Sequence, residues 1–374
     1  MEKCPIGFSG HVIIENNLWF FSKSYNGLYV LDLLTEELQW KGRVPFEATY
    51  TSQLYNKIVY WENKLFLIPF FAHRIAVYDI STSEFEAIDL PFAESENGRF
   101  FKTACLYHDK LFLFPMYDTN IVRIDLKLME IKITNQWAED VKPYLLNKGN
   151  PIYFSVSYAM QEGNIFLPLR YAYAVLELDC ETMETTIHVI KEAMQEYGAI
   201  CLDGDYFWLA PDMGRGVVVK WNRQNDHKEC YSLDGIVEEK TRIVGIEKRM
   251  DEEFFKVFDR KKEELSDSLQ GIIFFTFDTY FDIWETERYL TAYTGNGGNT
   301  IRIYNKETGV KKDYTPVVDY ADTPLGEAFK ESIVRESQVQ NLSSLIEAID
   351  STEMKNEEEE SVGGRIYQFF CARK

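Results

Sequence analysis

The residue types able to do chemistry in this 374-residue chain sit in short polar and aromatic clusters, each following an apolar run. They are Lys23-Ser-Tyr25-Asn26, Phe70-Phe-Ala-His73-Arg74, Met116-Tyr117-Asp118-Thr-Asn120, Arg170-Tyr171-Ala-Tyr173 and Asp212-Met-Gly-Arg215, with Asn296 in a sixth. Tyrosine rings pack on C–H groups while Asn, Asp and Arg hydrogen-bond hydroxyls, the combination a sugar needs. Tyr and Arg are also the side chains that anchor protein interfaces. The expected ligand-binding set is therefore Tyr25, Asn26, His73, Arg74, Tyr117, Asn120, Arg170, Tyr171, Tyr173 and Arg215. If the clusters are catalytic, Asp118 and Asp212 are the candidate acid and base. Arg170 or His73 would then stabilise charge and Tyr117 or Tyr171 would position the substrate. Such a carboxylate pair works at a separation of roughly 5–9 Å.

Other chemistry finds little support. The chain has no G-x-S-x-G elbow, H-E-x-x-H helix, Walker loop or G-x-G-x-x-G turn. His11, His73, His108, His188 and His227 share no ligand spacing, so neither a metal nor a cofactor is expected. Gly295-Asn-Gly-Gly-Asn299 joins two strand-like runs, whereas a phosphate cradle needs a helix N-terminus. Cys4, Cys105, Cys180, Cys201, Cys230 and Cys371 form no C-x-x-C pair and read as reduced, mostly buried thiols. With 40 Lys+Arg against 60 Asp+Glu the net charge is -20, which argues against nucleic acid as a partner. No apolar run reaches the ~18 residues of a membrane span. The first ten residues lack a basic and an apolar region of the secretory kind. A cytoplasmic, acidic protein, monomeric or weakly oligomeric, is the expectation.

The elements that must position these clusters repeat. Asn17-Leu-Trp-Phe-Phe leads to Leu28-Tyr-Val-Leu-Asp32, and Lys64-Leu-Phe-Leu-Ile-Pro69 leads to Ile75-Ala-Val-Tyr-Asp79. The same order recurs ending at Asp125, Asp179, Asn222 and Asn305. The first five of these markers fall 47, 46, 54 and 43 residues apart, the period of propeller blades. The runs are β-branched and aromatic and are punctuated by Asn, Asp, Gly and Pro, so each unit predicts about four strands. The 26 Phe and 23 Tyr require a packed interior to hide them. An irregular β-sandwich would carry similar strands without this rhythm.

Gly27-Leu-Tyr-Val-Leu-Asp32-Leu-Leu-Thr35, followed by Trp40, resembles the repeat of quinoprotein-like propellers, and the chain over roughly 11–315 resembles the kelch-like and quinoprotein-like β-propeller superfamilies. The other copies keep the Asp, and at Thr82, Thr182 and Thr308 the Thr, but not the Trp. The double glycine of a kelch unit is absent, and Pro69, Pro115, Pro168 and Pro211 follow the second strands instead. The resemblance implies a fold and no activity.

The expected architecture is an all-β propeller of six blades, with seven as the alternative, over residues 1–316. A charged helical insertion is expected at about 238–269, where Met250, Phe254, Phe255, Phe258 and Leu265 approach helical spacing, with a degenerate seventh blade as the other reading. Residues 317–374 read as a helical extension, an acidic linker and a strand at 364–371. That strand would close the ring by completing a blade, the first blade borrowing or donating a strand. In a propeller the loops after the second strands meet near the central channel. The expected function is therefore non-enzymatic: a binding or scaffold propeller that recognises a protein partner or a carbohydrate-type ligand through this loop face. The alternative is a carbohydrate-active hydrolase or lyase acting at the channel mouth.

Overall fold

The computed structural model describes residues 3–49, 51–91, 101–116, 118–147, 153–250, 252–258, 269, 271–276, 280–294 and 299–319. Residues 5–316 form one compact unit, a six-bladed β-propeller. Each blade is an antiparallel meander whose strands are consecutive in the chain. The first is Phe8–Ile14, Asn17–Ser22, Leu28–Asp32 and Leu38–Gly42. The second begins at Tyr55–Trp61, the third at Phe101–Tyr107, the fifth at Tyr197–Asp203 and the sixth at Tyr280–Glu285. The innermost strand of the fourth blade is split into Tyr153–Phe154 and Ala159–Gln161, both paired with Asn164–Arg170. Among the described residues the four strands of the first blade all come from residues 8–42.

Why the second strands are apolar throughout follows from the wedges they fill. In Lys64–Pro69, Leu65 and Leu67 pack toward Val12, Phe21 and Val30 of the first blade. Phe66 and Ile68, pointing the other way, pack against Leu111, Leu113 and Val122 of the third. A strand buried on both faces shows no alternation. Truncating one of these side chains to Ala costs about 2–5 kcal/mol. The outermost strands, such as Glu84–Ile88 and Glu130–Thr134, have one wet face and alternate.

The marker residues close the last hairpin of every blade. Asp32, Asp79, Asp125, Asp179, Asn222 and Asn305 each accept two backbone N–H bonds through Oδ1, from the residues two and three positions on. This is an Asx turn. At the other end of the blade the innermost strand carries a bulge at its entry. Ser9, Asn56, Lys102, Gly198 and Val244 are each skipped in the register with the second strand. A bulge re-aims the side chain it carries. Ser9 Oγ donates to the Tyr55 carbonyl, Asn56 Nδ2 to that of Phe101 at 2.8 Å, and Ser155 Oγ to that of Gly198. These bonds run from one blade to the next.

Between the fifth and sixth blades, Ile243–Lys248 pairs with Ile272–Thr276 as a two-stranded sheet. The interval 238–269 is therefore part strand, because Ile243-Val-Gly-Ile246 is a short, mostly buried apolar run that serves as an inner strand. The helix within it is Glu252–Val257. Phe254 and Phe258 pack on Phe275, 6.4 and 5.1 Å between ring centroids, in one cluster with Leu290 and Ala292 of the sixth blade. A second short helix that periodicity did not reveal, Trp137–Val141, seats Trp137 among Phe154 and Ile165 of the fourth blade.

Residues 1–4 and 317–374 form the other compact unit, whose described residues are 3–4 and 317–319; the strands Lys3–Pro5 and Val317–Asp319 pair as a two-stranded sheet. The expected helical extension from 320 onward and the strand at 364–371 lie outside the described residues. Among the described residues no helix is long and apolar enough to cross a membrane. Cys105, Cys180 and Cys201 are free, buried thiols, and burial pushes Cys180 up to about 12, which leaves it protonated and unreactive.

Candidate functional site

The innermost strands of the blades and of the Ile243–Lys248 sheet surround a central cavity of about 670 Å³. Its wall includes Ser9, Asn56, Lys57, Lys102, Ser157, Ile200, Glu247 and Trp284. Lys23 and Phe70, from loops after second strands, and Gln53, from the connection into the second blade, stand at its edge.

The loop clusters have separate fates. Tyr25 is buried, its hydroxyl 2.6 Å from that of Tyr29. Asn26 is fully buried, and its amide binds the Val44 carbonyl, the Glu47 carbonyl and the Val44 N–H at 2.9, 3.1 and 2.9 Å. Both side chains hold the first blade to the connection that follows it. The backbone N–H of His73 donates to Glu47 Oε1, and Arg74 pairs with Asp89 at 2.9 Å. Asp118 is exposed and caps its own turn, accepting from Asn120 Nδ2 at 2.7 Å. Arg215 is exposed at its loop, and Tyr117 and Asn296 lie outside the described residues.

One group does converge. Arg170, at the end of the second strand of the fourth blade, reaches Asp212 in the fifth at 2.9 Å. Arg242 approaches the same carboxylate oxygen at 3.4 Å. The Arg170 guanidinium also lies over the Tyr171 ring, 5.7 Å from its centroid. Tyr171 itself has φ of 62°, an outlier for a bulky residue. Its carbonyl accepts the Leu146 N–H at 2.9 Å, and the bridge between Leu145 and Ala172 holds the loop in that shape. Tyr173 and Tyr144 stand edge to face, 6.0 Å apart.

Glu196 and Lys102 complete the electrostatics, and neither was among the sequence candidates. Burial raises the pKa of the Glu196 carboxyl and the Asp212 charge raises it further, against Arg170, the Tyr171 N–H and Arg242. Burial lowers that of Lys102, and the Arg170 and Arg242 charges add to this, against Asp212. Glu196 and Arg242 each stand just before an innermost strand, and Lys102 is the bulge residue, second within one. These positions in the repeat were the signal available in the sequence. Among the described residues no group of three or more His, Cys, Asp or Glu is placed to hold a metal ion.

Neither a protein-family model nor a curated protein matches the chain. Solved structures do. The computationally designed protein Ika8 is 8% identical with a TM-score of 0.50, over 84% of this chain and 88% of that one. A virginiamycin B lyase from Staphylococcus aureus is 12% identical with a TM-score of 0.46, over 86% and 89%. A chain of a nidogen–laminin complex is 10% identical with a TM-score of 0.40, over 65% and 84%. At such identities the likeness is one of fold, and the chemistry of this β-propeller has to be found in its own residues.

Proposed function

We propose that this propeller binds a glycan-type ligand, without transforming it, where the fourth and fifth blades meet on the loop face. The observation that carries the reading is the convergence of Arg170 and Arg242 on the buried Asp212, beside Glu196 and the tyrosines 144, 171 and 173. Fixed charged groups beside aromatic faces suit hydroxyls and C–H groups together. A protein partner fits less well, because these groups gather around one ion-paired carboxylate instead of spreading over a flat surface. The test is thermal-shift screening of neutral and acidic oligosaccharides against wild type, Tyr171→Ala and Glu196→Gln. Stabilisation of wild type that both variants lose is the expected result, and a panel that leaves wild type unmoved would reject the reading.

One observation favours the carbohydrate-active alternative. Burial raises the pKa of Glu196, with Asp212 beside it raising it further, and a raised carboxyl pKa is what a general acid needs. In that case Glu196 would be the acid, and Asp118, which faces solvent, would have no part. Release of reducing ends or of unsaturated products, abolished in Glu196→Gln, would establish it.

A further inference from the structure

The central cavity has a chemistry of its own. In a chain of net charge -20, its described lining carries three lysines, Lys23, Lys57 and Lys102, against one carboxylate, Glu247. Glu247 is held near Arg249 at 3.8 Å, so its charge is partly answered outside the cavity. The lysines come from the first three blades and face one volume of about 670 Å³, within the range of roughly 300–1,000 Å³ usual for small-molecule sites. Lys57 is fixed over the Trp284 ring, 5.6 Å from its centroid.

Lys102 is the informative residue. It occupies the bulge where Ser9 and Asn56 extend to the carbonyl of the next blade, and Gly198 is crowded by the Ile243 carbonyl, 2.4 Å from where a Cβ would be. Those residues join blades. Lys102 has no hydrogen-bond or ion-pair partner among the described residues and lines the cavity instead. Lys102 is half-buried with two cations, Arg170 and Arg242, and one anion, Asp212, as its charged neighbours, so positive charge prevails there and an anion in the cavity is favoured. The remaining wall is mainly apolar and includes five aromatic side chains, Phe8, Phe70, Tyr158, Phe275 and Tyr293.

We propose that the cavity binds a small organic anion, a carboxylate or phosphate group on an aromatic body, with Lys57 and Lys102 on the anionic group and the ring among the wall aromatics. The proposal does not rest on the glycan reading: Arg170, Tyr171, Asp212 and Glu196 lie outside this lining, although Arg170 and Asp212 act on Lys102 from beside it.

Naphthoate and its neutral isostere naphthamide are the probes, titrated by calorimetry into the full chain. Naphthoate should bind one per chain and the amide about tenfold more weakly or worse, since a charge-assisted hydrogen bond contributes about 1.5–3 kcal/mol. Added salt should weaken the acid and spare the amide. Lys102→Met should reduce naphthoate affinity about tenfold with amide binding unchanged, and Lys102→Arg should restore it. Equal binding of acid and amide, binding of neither, or a folded Lys102→Met protein that binds naphthoate as wild type does would each overturn the proposal. If Lys102→Met fails to fold, Lys57→Met and the salt series on wild type decide in the same terms. Loss of saccharide binding in Tyr171→Ala with naphthoate binding intact would separate the two sites.

Discussion

Gly309 stands four residues after Asn305, where the other blades have Glu36, Ser83, Met129, Met183 and Asp226. All six are left-handed, with φ of 69° for Gly309 and 62°, 60°, 56°, 69° and 56° for the rest in chain order. Five non-glycine residues accept this conformation because the Asx bonds and the hairpin ladder impose it together. A Cβ at Gly309 would meet nothing within 4 Å, so Gly309→Ala tests the conformation alone. It should destabilise by about 1 kcal/mol, read from the urea midpoint. The Asx residues also set a pH dependence. Backbone N–H bonds hold the carboxyls of Asp32, Asp79 and Asp179 below their usual range. Each contributes stability that is complete above the unfolded value of about 3.9 and is lost as pH falls through the lower folded value. Asn222 and Asn305 fill the same place without a charge. Replacing the three aspartates by Asn should therefore preserve the fold and flatten the loss of stability in acid, measured by urea unfolding from neutral pH downward. The aspartates were legible from their spacing. The left-handed residues were not, since Glu, Ser and Met carry no preference for that conformation.

Between elements, buried ion pairs join blades where apolar contact alone would not fix register. Glu177, on the third strand of the fourth blade, binds His188 Nε2 at 2.6 Å and the Arg223 guanidinium of the fifth through Nε at 3.0 Å. Burial opposes ionisation of Glu177, but the hydrogen bonds from His188 and Arg223 prevail and keep its pKa low. Its contribution is thus present at neutral pH and disappears in acid as the carboxyl protonates. Glu177→Ala strands a guanidinium against the Phe166 ring and should cost about 3–5 kcal/mol in chemical denaturation. Arg170 and Asp212 form the corresponding pair at the candidate site, with side chains only 13% and 7% exposed. Arg170→Ala should destabilise on a similar scale even though Arg242 remains near Asp212. Substituting Arg170 and Tyr171 together would therefore mix folding with binding. Tyr171→Ala and Glu196→Gln are the cleaner probes.

For the whole molecule, the ring has to close between the sixth blade and the first. Asn16 Oδ1 accepts from Arg288 at 2.6 Å and from the Tyr289 hydroxyl at 2.9 Å. His11 meets Thr291 at 3.2 Å and packs edge-on against Tyr293 at 4.7 Å, and the Ile6 N–H reaches the Pro316 carbonyl at 2.9 Å. Among the described residues the seam is packing and hydrogen bonding between two four-stranded blades. Asn16→Ala removes one acceptor from two donors and should cost about 1–3 kcal/mol, lowering the Tm. The blades themselves were determined by local sequence: an apolar run, a turn, a second run and an Asx residue suffice to build a four-stranded meander wherever they occur. Which loops would meet was not local. Tyr25 and Asn26 belong to the same repeat position as Tyr171 and Asp212, yet the first pair is sealed against Tyr29 and the connection at Val44 while the second opens beside Arg242. That difference depends on the connections between blades, whose lengths and residues do not repeat. The charged cavity likewise exists only once seven sheets are set around one axis, because its lysines are far apart in the chain and each looks, in sequence, like any other solvated lysine.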